Sequence, residues 1–151
     1  MPLPNGYSKF RMGGLACLYK GTDTAPDKIF GGGWPVKVGD IDIANHLLNK
    51  GKGSCWWSTS LDKFASALFG RYVYRIVGLN DMAIVANEAY CVVKKKGFDQ
   101  VPFREQAEMS VYSVIPPDCI AGVFDGNDNY SYRPNLASRI PMNTATWIWP
   151  E

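Results

Sequence analysis

Residues 103 to 111 read FREQAEMSV, which sets the aromatic Phe103, the amide Gln106 and the carboxylate Glu108 at offsets of 0, +3 and +5. Glu108 opens a run of strand formers. A carboxylate fixed at the start of a strand is suited to face positive charge that develops during a reaction, a contact that stabilises the transition state more than the ground state. Other polar groups stand at the ends of candidate strands or on a candidate helix: Lys20 after Cys-Leu-Tyr, the triplet Ser58-Thr59-Ser60 after two tryptophans, and His46, the one histidine of the chain. A lone histidine usually makes a structural hydrogen bond within the fold. Lys94-Lys95-Lys96 reads as a solvated charge run, against the alternative of docking an acidic protein surface or nucleic-acid phosphates.

The elements that must position these groups follow from pattern and punctuation. At 151 residues, 46% hydrophobic and 13% aromatic, the chain can fill one core. A net charge of +2 does not by itself imply extended nucleic-acid tracking and leaves room for local patches. The first residues lack the apolar centre of a secretory signal, and no apolar run approaches the roughly twenty residues that span a bilayer. The expectation is a cytosolic chain or a delivered domain. Four scattered cysteines show neither zinc spacing nor disulfide density, so each is read as a free, small buried hydrophobe, and no metal site is expected.

Residues 1–15 form a loose lead-in to a domain over 16–151. ACLYKG reads as a strand, Pro26 as a first helical position, and the three following glycines as a stop. Asp40 is the candidate cap of an amphipathic helix of about three turns through Ile43, Ala44, Leu47 and Leu48. A strand through Trp56 and Trp57 leads to a helix capped by Ser60, and Tyr72 to Leu79 is the clearest strand. AIVANEAYCVV is read as extended, EMSVYSVI as a strand, and PPDCIAGVF as a turn feeding the last strand. Helices early and strands late, without alternation, give an α+β class with mainly antiparallel sheet.

Lys20, the Ser-Thr-Ser strand and Glu108 occur in the chain order of the mono-ADP-ribosyltransferase toxins of the cholera and pertussis type, which this sequence resembles over residues 16 to 125. LYKGTDTAPDKIFGGGW resembles that family's first strand and stub helix, IANHLLNKG its histidine-bearing helix, and WWSTS its serine strand. EQAEMSVYSVIPPDCIAGVF resembles the Gln-x-Glu strand followed by Ile-Pro-Pro. Aromatic-x-x-Gln-x-Glu is similar to the target-recognition turn of the Rho-modifying exoenzymes, and Gln-x-Glu is shared with the pierisin group.

The resemblance implies two packed, mainly antiparallel sheets with NAD as substrate in a cleft between them. It assigns Glu108 to the cationic ribose that forms when nicotinamide leaves, and Gln106, on the same side of an extended chain, to the incoming nucleophile. Ser58 would hydrogen-bond the glutamate and shape the nicotinamide pocket, with His46 a further catalytic candidate. Lys20, Tyr19, Gly21 and Ser58 would hold NAD, and Phe103 with Gln106 would meet the acceptor. Lys20 departs from the family's arginine, supplying charge without the planar fork. The implied function is transfer of ADP-ribose to a macromolecule, a protein side chain other than arginine in preference to a nucleic-acid base, by a secreted or delivered effector acting in a target cell. Part of a larger toxin, or a chain held by an immunity protein, is the implied context. The alternative is a non-catalytic NAD-binding or protein-interaction module on the same fold.

Overall fold

The computed structural model describes residues 3–13, 17–140 and 142–147. Its elements are β1 (Leu18–Thr22), α1 (Pro26–Gly32), α2 (Ile43–Leu48), β2 (Trp56–Ser60), α3 (Lys63–Ser66), β3 (Tyr72–Ile76), β4 (Ala83–Val85), α4 (Ala86–Lys94), β5 (Glu108–Tyr112), β6 (Ile120–Asp125) and β7 (Ser131–Pro134). The strands lie in the order β4-β5-β2-β1-β3-β6-β7, and every ladder between them is antiparallel. The α+β class with antiparallel pairing is therefore observed.

Where two packed sheets were expected, the strands join in one seven-stranded sheet. Hydrogen bonding is continuous, but β1 and β2 share one registered pair, Tyr19 with Ser60, whereas β2 and β5 share five and β1 and β3 share five. The sheet is thus two well-zipped halves joined at a narrow seam. Lys20 spans it, donating from Nζ to the Ser58 carbonyl at 2.7 Å with the rings of Trp34 and Trp57 at 5.6 and 5.4 Å.

Alternation along the strands divides the core. Met109, Val111, Ala83, Leu18, Tyr74 and Ile76 build one cluster, while Trp56 and Ile84 build the other with Ile43, Ala44 and Leu47 of α2 and Ala86, Ala89 and Tyr90 of α4. Several expectations need correction. Residues 86–94 are helical and not extended: Ala86, Ala89 and Tyr90 recur at helical spacing and pack against that second cluster, so tertiary burial overrides the strand preference of Val92 and Val93, which are exposed. The lead-in is not loose, since Leu3, Tyr7, Phe10 and Met12 are buried and Met12 donates its amide to the Ala83 carbonyl. β6 is not last, because residues 126–130 turn the chain back into β7. The four cysteines are free, with Cys55 and Cys119 buried and Cys17 and Cys91 partly so.

Gly21 has a structural reason apart from any ligand. A Cβ built there would collide with the backbone carbonyl of Ser66, so the glycine lets α3 lie directly on β1. Gly21→Ala should cost about 1–3 kcal/mol of stability through forced displacement of α3, read by urea unfolding. Lys20 gives a pH signature. Burial lowers its ammonium from 10.5 to about 8, the attraction of Glu108 opposing and the repulsion of Lys37 adding to the effect. Below about pH 8 folded and unfolded chains are both protonated, and between there and 10.5 the unfolded chain binds more protons, so stability rises with pH. Relative to Lys20→Met, the wild type should gain up to about 3 kcal/mol across that interval. A pH-independent difference between the two proteins would show that the ammonium is not desolvated.

Candidate active site

Glu108, Ser110 and Ser58 come to one face of the sheet because β2 and β5 pair Ser58 with Ser110 and Ser60 with Glu108. Trp56 lies on that same face, and α2 packs over it. The start of α2 is held twice. Asp42, not Asp40, is its cap, its carboxylate accepting from the amides of Ala44 and Asn45, while Asp40 accepts from the Asp42 amide and the Asn45 side chain. The Tyr7 hydroxyl accepts from the Ile43 amide at 3.0 Å, so the N-terminal segment fixes this helix as well. The helix has six residues, shorter than its pattern suggested.

His46 on the buried side of α2 reaches the strand face. Its Nε2 lies 2.6 Å from Glu108 Oε2 and 3.0 Å from Ser58 Oγ, and its Nδ1 lies 2.6 Å from Ser54 Oγ. The Ser110 hydroxyl donates to the same Glu108 oxygen at 2.6 Å. Burial by itself would push the Glu108 carboxyl up, but the hydrogen bond and electrostatic pull of His46, with the hydroxyls of Ser110 and Ser58, outweigh it and hold the group below its ordinary value. The outcome is an ionised, oriented carboxylate that is itself little exposed to water.

A cleft of about 550 Å³ opens beside it, a size suited to a small-molecule substrate. All eight residues singled out from sequence, Tyr19, Lys20, Gly21, His46, Ser58, Phe103, Gln106 and Glu108, line it. Two of them, and Ser60 beside them, are not arranged as expected. Lys20 points its ammonium into the seam of the sheet, onto the Ser58 carbonyl. Gln106 is not on an extended chain, because residues 104–106 form a 3-10 turn and Ala107 takes a left-handed conformation, which breaks the alternation before β5 begins. Ser60 does not cap α3; Asp62 does, accepting from the Phe64 amide, while Ser60 accepts from the Asp62 amide and donates to the Gln106 carbonyl. Phe103 is exposed and left-handed, with Lys50 Nζ 5.7 Å from its ring centre.

Sequence reasoning missed Ser110, Ser54 and Lys37. Ser110 was findable, since two residues past a strand carboxylate lies the same face. Ser54 and Lys37 carry no local signal: Ser54 meets His46, and Lys37 meets Ser54, through loops. Lys37 donates to the Gly51 and Trp56 carbonyls at 2.7 and 2.6 Å and to Ser54 Oγ at 3.3 Å. Arg11 and Arg71 supply no substitute for an arginine at Lys20. Arg71 makes a two-pronged contact with Asp125, and neither arginine lines the cleft. Among the described residues no group of three or more His, Cys, Asp or Glu side chains gathers as a metal site, and no helix is long and apolar enough to cross a membrane.

No family model and no curated protein sequence matches the chain. Solved structures do. The scabin toxin from Streptomyces scabies, in complex with NADH, superposes with a TM-score of 0.67 at 19% identity, over 83% of this chain and 77% of that one. A guanine-specific ADP-ribosyltransferase superposes with a TM-score of 0.69 at 18% identity, over 92% of each chain. The chain therefore has the fold shared by this toxin and this ADP-ribosyltransferase.

Proposed function

We propose that this chain is an NAD-dependent mono-ADP-ribosyltransferase of the toxin type. The observation that carries the reading is the ionised Glu108, held by His46, Ser110 and Ser58 at the wall of a cleft, in a fold shared with a toxin that binds NADH. The residues fit the substrate. Trp57 and Phe69 offer aromatic walls to flat rings, and Lys50 and Lys52, both exposed at the cleft, can meet phosphates.

The bond from nicotinamide to ribose breaks with its electron pair going to the departing ring, which becomes neutral. Positive charge passes to the sugar, and the Glu108 carboxylate is suited to stabilise it there. The acceptor's nucleophile then donates a pair to the sugar carbon and loses a proton. Gln106 and Phe103, on the turn that leads into β5, remain our assignment for contacting that acceptor. Lys20 is read as a residue that holds the seam beneath the pocket and adds positive potential, in place of a fork on phosphate.

The fold likeness lends nothing to the preference for a protein acceptor drawn from sequence, since one neighbour is named for guanine. Four lysines and one glutamate among the residues lining the cleft also favour a polyanion. We therefore propose a nucleic-acid base as acceptor.

Incubating the chain with NAD labelled in its adenylate half, with guanine-containing DNA or RNA in one arm and cell-lysate protein in another, tests both levels. Label on nucleic acid supports the acceptor reading; label on protein alone returns it to the protein side chain; no label and no free nicotinamide in any arm removes the transferase assignment. Glu108→Gln should lower nicotinamide release by roughly 10²–10³-fold while cooperative unfolding persists. Retention of near-normal release by the folded variant would take Glu108 out of the chemistry. Phe103→Ala and Gln106→Ala should reduce labelling of the acceptor more than hydrolysis of NAD to water, and equal losses would place this turn in the NAD site instead.

A further inference from the structure

We propose that Lys37 and Ser54 are positioning residues that hold His46 in a single tautomer, with its proton on Nε2 and directed at Glu108. The kinetic consequence rests on the transferase reading above, whereas the hydrogen-bond argument stands on geometry.

Ser54 Oγ is buried in a crowded polar knot. Its oxygen accepts from the Trp56 amide at 3.2 Å and from Lys37 Nζ at 3.3 Å. A hydroxyl has two lone pairs and one proton, so with both pairs engaged only the proton is left to give. His46 Nδ1, at 2.6 Å, is its nearest acceptor; the Gly51 and Trp56 carbonyls are at 3.4 Å. Those two carbonyls already accept from Lys37, at 2.7 and 2.6 Å. Lys37 thus acts twice, filling a lone pair of Ser54 and binding the competing carbonyls more closely than the hydroxyl does. The 2.6 Å contact makes Nδ1 the favoured acceptor of the Ser54 proton, which puts the ring's proton on Nε2, 2.6 Å from Glu108 Oε2.

The opposite tautomer would set a bare nitrogen lone pair 2.6 Å from a carboxylate oxygen. Two acceptors would face each other without a proton, and Glu108 would lose one of the donors that offset its burial. Lys37 reaches the carboxylate without touching it, through a hydroxyl and an imidazole. Its ammonium is itself kept in place by the Trp57 ring, 5.1 Å from Nζ to the ring centre.

Because the chain has one histidine, isotopic nitrogen labelling of histidine yields a spectrum of His46 alone. In the wild type, long-range proton–nitrogen correlation at the pH of the activity assay should show Nε2 protonated and Nδ1 bare. Ser54→Ala and, separately, Lys37→Met should admit the Nδ1-protonated form. Both should lower kcat for nicotinamide release roughly 10–100-fold. Their KM for NAD should stay within about threefold, a split that general loss of folding would not produce. A wild-type spectrum with Nδ1 protonated, alone or together with Nε2, overturns the proposal; so do two variants that keep both the wild-type tautomer and the wild-type kcat. Should Ser54→Ala fail to fold, Lys37→Met and the wild-type spectrum still decide it. If the wild type releases no nicotinamide, the transferase reading falls and the tautomer measurement still judges the relay.

Discussion

An anion withdrawn from water must be given donors, and the arrangement of this molecule around Glu108 follows from that demand. One donor comes from its own strand, one from the facing strand, and one from a helix laid across both. Supplying the helix donor requires α2 to be short, capped by Asp42, and pressed onto Trp56. Pressing it there requires the N-terminal segment, whose Tyr7 takes up an amide at the helix start and packs edge-on against Trp56, with ring centres 5.2 Å apart. Residues far from the cleft in sequence are in this sense part of the carboxylate's environment.

The seam between β1 and β2 supplies the other half of the design. Strands zipped along their full length leave no room between them for a ligand. With one registered pair, the two halves can diverge, and the cleft lies where they do. Lys20 ties the seam without closing it. A guanidinium fork would make several fixed hydrogen bonds there, whereas the ammonium makes one short bond to a carbonyl and otherwise rests between two indoles. That accounts for a lysine in a site built for charge: Trp34 and Trp57 stabilise a cation that has few polar partners.

Much of this was legible in the sequence where the signal is local. The strand through Trp56, the proline-started α1, and Glu108 at the head of a strand each depend on neighbours within a few residues. The eight candidate site residues were brought into one cleft by a resemblance of motif order, which carries topology that periodicity does not contain. What was illegible depends on distant contact. Residues 86–94 have valines suited to a strand, and only burial of Ala86, Ala89 and Tyr90 against α2 makes them a helix. The segment before β1 carries scattered apolar residues that look incidental until the second cluster receives them. The turn before Glu108 shows no glycine at Phe103 or Ala107, yet both adopt left-handed backbone, so an extended reading of Gln106 was natural and wrong.

The strand order has a consequence for when the site comes into being. β2 and β5 are separated by nearly fifty residues of chain, and β1 must wait for both β2 and β3 to join it, so few of these pairings can form as simple hairpins. Closing such long loops delays assembly, because the entropy of closure is lost before the contacts repay it. The carboxylate, its histidine and the lysine of the seam therefore have no relation to one another until almost the whole chain has condensed. A nascent or partly unfolded copy does not hold these groups together, and the site arrives late and as a unit with the final topology.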